Sequence, residues 1–123
     1  MPLKPYKTLI CRASDEFIIH KSRFIGYGCP CETEEEALAF LSEIRARHKD
    51  ATHNCYAFSA GGTKRFSDDG EPSGTAGKPI LNVIEQKKLV NTAVVVTRYF
   101  GGVKLGAGGL VRAYSNAAAA ALD

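Results

Sequence analysis

The sequence predicts an α+β domain built on a single sheet, and three observations carry that prediction. Strand-like and helix-like segments alternate in the order β-β-α-β-α-β-α, with no internal repeat and no linker, so helices packed against one sheet of four strands follow. Residues 92–97 form a nearly continuous β-branched run, apolar on both faces, as in a strand with neighbours on each side. The chain has 123 residues, 45% hydrophobic and 24% charged. That is the size and composition of one globular domain and excludes a disordered segment.

Each element has a local cause. Phe17, Ile18 and Ile19 make residues 15–20 β-prone, Lys21-Ser22 allows a turn, and residues 23–29 return as a second strand that Pro30 stops. Thr33 followed by Glu34, Glu35 and Glu36 is an N-cap with a Glu at the third helical position. It opens a helix over residues 33–48 whose apolar stripe is Ala37, Leu38, Leu41, Ile44 and Ala46. Its acid-to-base order suits the helix dipole, so helix stability explains it without a functional role. Residues 54–60 read as a strand. Residues 61–78 hold five glycines and few apolar residues, so they read as a long loop. Pro79 fits the first turn of a helix over residues 79–86, with Ile80, Leu81 and Ile84 on its core face. A last helix runs to Leu122, burying Leu110, Val111, Tyr114, Ala118, Ala121 and Leu122. Its five consecutive alanines favour helix and allow close approach to a sheet.

Residues 1–5 lack the apolar core of an export signal, and no stretch approaches the ~20 apolar residues of a membrane span, so a soluble cytoplasmic protein is expected. Cys11, Cys29, Cys31 and Cys55 are then free thiols. Cys29-Pro30-Cys31 lacks zinc-knuckle spacing, and no metal or other cofactor is expected, although His53 and Cys55 share one face of a strand.

The net charge of +3 is unevenly spread. Residues 32–50 carry three Lys/Arg against six acids, whereas residues 86–123 carry five against one and five of the twelve glycines. Cations clustered among glycines suggest an anion-binding surface, the alternative being charge that only keeps loops and helix faces soluble. Two motifs that would name one fail. A phosphate loop ending at Lys78 needs Gly at position 72 and Ser or Thr at 79, and both are proline. Gly106-Ala107-Gly108-Gly109 is similar to a dinucleotide fingerprint, but Val111 takes the last glycine position. What remains is a strand, a glycine turn and a helix start near Arg98 and Lys104, which can hold a phosphate or simply connect two elements.

Asp68, Asp69 and Glu71 in the long loop offer acids, Ser73 and Thr75 offer hydroxyls, and His53 is the one plausible base. The alternative is a capped turn, in which the aspartates bond their own backbone and Ser73 or Thr75 caps the next helix.

Together these residues resemble a known family. Phe66-Ser67-Asp68-Asp69-Gly70-Glu71-Pro72-Ser73-Gly74-Thr75-Ala76-Gly77-Lys78-Pro79-Ile80-Leu81 resembles the signature loop of the IMPACT family, which includes the bacterial YigZ proteins. Val94-Val95-Val96-Thr97-Arg98-Tyr99-Phe100-Gly101-Gly102-Val103-Lys104-Leu105-Gly106 is similar to its second signature, and His53-Asn54-Cys55-Tyr56-Ala57 and Lys21-Ser22-Arg23-Phe24 also fit. The resemblance implies a two-layer sandwich, a mixed four-stranded sheet with helices on one face. Such a fold is similar to the second domain of a small-subunit ribosomal protein and to domain IV of elongation factor G. It implies one N-terminal module over residues 1–123, without the ferredoxin-like domain that bacterial members usually add. No enzymatic activity is securely attached to the family.

The expected function is therefore a non-enzymatic, translation-associated regulatory domain that binds RNA or a ribosome-linked protein. Arg98, Lys104, Arg112, Lys64, Arg65 and Lys78 would meet phosphates, and Tyr99 or Phe100 would stack on a base. Two rivals stay open: a small hydrolase or ligand-binding protein using His53 and the 68–78 loop, and a protein-interaction module of translational stress control whose patch is that loop.

Overall fold

A computed structural model describes residue 9 and residues 11–123; the export-signal reading of residues 1–5 lies outside the described residues. The elements are β1 (Ala13–Ile19), β2 (Ser22–Pro30), α1 (Glu34–Arg47), β3 (His53–Ala60), β4 (Thr63–Ser67), α2 (Gly77–Gln86), β5 (Thr92–Tyr99) and α3 (Gly106–Leu122). The strands form one sheet in the order β1-β2-β5-β3-β4, every neighbouring pair antiparallel.

The α+β class holds, with three corrections. The sheet has five strands, not four, because β4 lies within the stretch read as loop. Its residues Lys64, Arg65 and Phe66 are exposed on an edge strand paired only with β3, so no apolar alternation marks it. The sheet is wholly antiparallel rather than mixed. Helices also cover both faces, giving three layers rather than two. The β-branched run shows why. Val94 and Val96 pack with Ile80, Ile84, Tyr114 and Ala117 from α2 and α3. Ala93 and Val95 point the other way and pack with Ala37, Phe40, Leu41 and Ile44 of α1. A strand apolar on both sides needs cover on both sides.

The helices follow their sequence causes closely. Thr33 accepts the N–H of Glu36 at 3.1 Å, and Glu36 reaches back to the N–H of Glu32 at 2.7 Å, closing the expected N-terminal cap. Phe40 replaces Leu38 and Ala46 in the buried stripe of α1, and Val111 lies outside the buried face of α3. The alanines of α3 bring its backbone onto β2. A Cβ on Gly26 would stand 2.5 Å from the carbonyl oxygen of Ala117, so only glycine fits beneath the helix.

Candidate functional site

The second signature ends at the point where β5 leaves the sheet, and there the strand alternation separates its side chains. Arg98 turns toward α2 and α3. Tyr99 turns toward α1, and Phe100 begins the loop to α3. Arg98 is 5% exposed. Its Nη1 donates to both carboxylate oxygens of Glu71, at 2.8 and 3.0 Å, and its Nε and Nη2 approach Ser22 Oγ at 3.4 and 3.3 Å. The guanidinium also lies 5.1 Å from the Phe100 ring and 5.6 Å from that of Phe24. The Tyr114 hydroxyl donates to Glu71 as well. Burial, helped by Cys55 and then Glu71, pushes the Tyr114 phenol far above its usual range, so it remains a donor.

His53 stands beside this pair. Its Nδ1 lies 2.8 Å from the Asp69 carbonyl oxygen, which can only accept, so Nδ1 carries a hydrogen. Its Nε2 faces Glu71 Oε1 at 3.5 Å. That tautomer leaves the Nε2 lone pair beside Glu71, and among the described residues no serine or threonine hydroxyl is bonded to either ring nitrogen.

The acidic loop is ordered by its own aspartates. Asp68 accepts N–H groups from Gly74, Ala76 and Gly77 at 3.0, 3.1 and 2.8 Å. Burial acts to raise its pKa, but the three backbone donors outweigh it and hold the carboxyl below the usual range. Asp68, rather than Ser73 or Thr75, thus caps α2. Thr75 Oγ1 donates to the Pro72 carbonyl at 2.6 Å, and Ser73 lies exposed at the loop tip. Asp69 accepts the N–H of Asn54 at 2.7 Å and pairs with Arg45 at 3.2 Å.

Above Glu71 and Arg98 opens a cleft of about 360 Å³, lined by Thr52, His53, Pro72, Phe100, Lys104, Leu105 and the first residues of α3. Lys104 and Phe100 stand at its rim, Phe100 45% exposed. Among the described residues Lys104 and Arg112 have no ion-pair partner. Arg112 sits one turn along α3, lining a neighbouring hollow with His20.

The structure thus brings together His53, Glu71, Arg98, Phe100 and Lys104, with Arg112 near by. It does not bring in the remaining cations. Lys64 pairs with Glu85 at 2.8 Å, Arg65 with Glu34 at 2.9 Å, and Lys78 lies 5.8 Å from the Phe66 ring, all around β4 and α2.

Tyr99 serves a second polar group that the sequence did not single out. On the α1 face the Tyr99 hydroxyl donates to Asp50 at 3.2 Å and takes the hydrogen of His48 Nδ1 at 2.7 Å. Tyr27 donates to His48 Nε2 at 2.5 Å. These partners come from β2, β5 and the end of α1, and no spacing in the sequence joins them. Among the described residues no group of three or more His, Cys, Asp or Glu side chains is placed to hold a metal ion. Cys29, Cys31 and Cys55 are buried and Cys11 is exposed, all unpaired. No helix of the described residues is long and apolar enough to cross a membrane.

Comparison with known proteins gives a consistent result. Residues 20–122 match the Impact N-terminal domain family. The IMPACT family member YvyE of Bacillus subtilis is 47% identical over 124 residues, covering 98% of this chain and 57% of that protein. The crystal structure of a hypothetical protein superposes with a TM-score of 0.90 at 42% identity, covering 94% of this chain and 58% of the other. The two-domain translational regulator Yih1 shares the fold at a TM-score of 0.50 and 24% identity, covering 98% of this chain and 49% of the other. The chain spans a little over half the length of the first of these relatives. With a family match across most of its length and a relative of this similarity, the chain belongs to the IMPACT family, as an Impact N-terminal domain.

Proposed function

We propose that this chain is a translation-associated regulatory domain that binds single-stranded RNA at the end of the sheet where β5 meets α3. One observation carries the reading: Lys104 and Arg112 are exposed, without carboxylate partners among the described residues, beside the half-exposed ring of Phe100. Cations next to an exposed aromatic suit a strand whose phosphates need charge and whose unstacked bases need a flat surface. Arg98 acts here as a positioning residue. It is buried against Glu71 and holds Phe100 rather than reaching a phosphate. Membership of the family supports the translation setting.

Fluorescence anisotropy with a labelled single-stranded RNA tests it. Affinity falls steeply between about 50 and about 200 mM salt, and each of Lys104→Gln and Arg112→Gln lowers the log–log salt slope by about 0.7. Binding indifferent to salt, or unchanged in the double variant, overturns the reading.

A further inference from the structure

The cleft beside Phe100 has a shape and chemistry that a general cationic surface does not require. We propose that it holds one nucleotide unit, a base with its phosphate, presented either as a free nucleoside monophosphate or as an unstacked residue of a single strand. The proposal rests on the RNA reading of the same end of the molecule and adds to it a defined site with a stated occupant.

Four features select that occupant. The cleft measures about 360 Å³, at the scale of a small-ligand site and too small for paired, stacked bases. Much of its lining is apolar, with Pro72, Phe100, Leu105 and Leu110 offering surface to a flat, weakly polar body. Phe100 stays 45% exposed although it is a large aromatic, and the Arg98 guanidinium at 5.1 Å fixes its ring. A ring held in place loses little freedom on stacking with a base. The cleft's one exposed charge is the Lys104 ammonium, which suits a phosphate. Its one carboxylate, Glu71, is 2% exposed and already engaged by Arg98, Tyr114 and His53, so it offers nothing to a cationic ligand. An aromatic wall with a single cation at the rim matches a base joined to a phosphate. It does not match bare phosphate, which would leave the apolar wall unused.

Amide chemical shifts read during titration with AMP, CMP and inorganic phosphate provide the test. Both nucleotides are expected to move His53, Phe100, Leu105 and Leu110 saturably at millimolar concentration, with phosphate alone leaving Leu105 and Leu110 unmoved. Ala107→Trp fills the mouth from an exposed position, and Phe100→Ala removes the ring; each weakens nucleotide binding about tenfold or more. Circular-dichroism melts identify the variant that keeps its fold, and one such variant suffices. A short oligouridine competing with AMP for the same amides identifies the strand as the source, whereas AMP binding without such competition identifies the free nucleotide. No shift at the cleft with either nucleotide, or equal movement of Leu105 and Leu110 with phosphate, overturns the proposal. So does unchanged nucleotide affinity in a folded blocking variant. If the cleft stays empty while RNA binding keeps its salt slope and its dependence on Lys104 and Arg112, the nucleotide site falls and the RNA reading stands. If Lys104 and Arg112 prove irrelevant to RNA, the RNA reading falls by itself.

Discussion

Glu71 and Arg98 form an ion pair with side chains 2% and 6% exposed. Removing one member strands the other charge, so Glu71→Gln or Arg98→Met is expected to cost about 3–5 kcal/mol in urea unfolding. The double variant Glu71→Leu/Arg98→Met, which strands nothing, costs less than the two single losses added. Additive losses would show that the pair does not act as a unit. His48 gives a pH signature. Burial first, then Arg23 and Arg47, hold it below the usual histidine range. It binds fewer protons folded than unfolded, so its contribution is complete above the unfolded value of about 6.5 and is lost as pH falls through the lower folded value. Urea midpoints should therefore drop from about pH 7.5 to about pH 5 by more in the native chain than in His48→Gln. Parallel profiles would remove His48 from the account. At this scale the sequence showed the participants but not the partnerships. Arg98, Glu71 and His53 could be named from their motifs and Tyr114 only as a core residue of the last helix, yet Arg98 looked like a phosphate ligand because nothing local shows that a carboxylate 27 residues away buries it.

The elements were more legible than their arrangement. Capping residues, apolar stripes and the β-branched run are local signals, so α1, α2, α3 and four strands follow from them. β4 escaped because an exposed edge strand needs no apolar face, and α1 was assigned to the wrong layer because an amphipathic helix does not state which side of a sheet it covers. The contact between α3 and β2 is the most exacting of these packings. Gly26→Val would push the helix off the sheet, since even a Cβ meets the Ala117 carbonyl at 2.5 Å. A loss of about 2 kcal/mol or more is expected in thermal unfolding, in the range of overpacked cores. Thr33→Ala, which removes only a cap, should cost about 1 kcal/mol. Equal costs for the two would mean that α3 has room the structure does not display.

At the scale of the molecule, the exposed cations expected to meet phosphate divide into two populations. Lys64 and Arg65 on β4 are paired with acids and Lys78 on α2 lies over a ring, whereas Lys104 and Arg112 have no ion-pair partner among the described residues. β4 lies two strand spacings from β5, about 10 Å, near the screening length of physiological salt. Lys64→Gln/Arg65→Gln should therefore leave RNA affinity within about twofold, while Lys104→Gln/Arg112→Gln lowers it about tenfold or more. Comparable losses would place the interface elsewhere.

The strand order also sets a timetable. β5 is the last strand in the chain, yet it is the central one, joining β2 to β3. Until residues 92–99 leave the ribosome, the nascent chain holds two separate hairpins, β1-β2 and β3-β4, each with an unpaired edge and half a core. The two hairpins cannot join into one sheet early, because the only strand ladders that connect them run through this one late segment. A chain arrested at residue 91 should remain protease-sensitive, and release of the following eight residues with α3 should convert the whole domain to its protected state in one step.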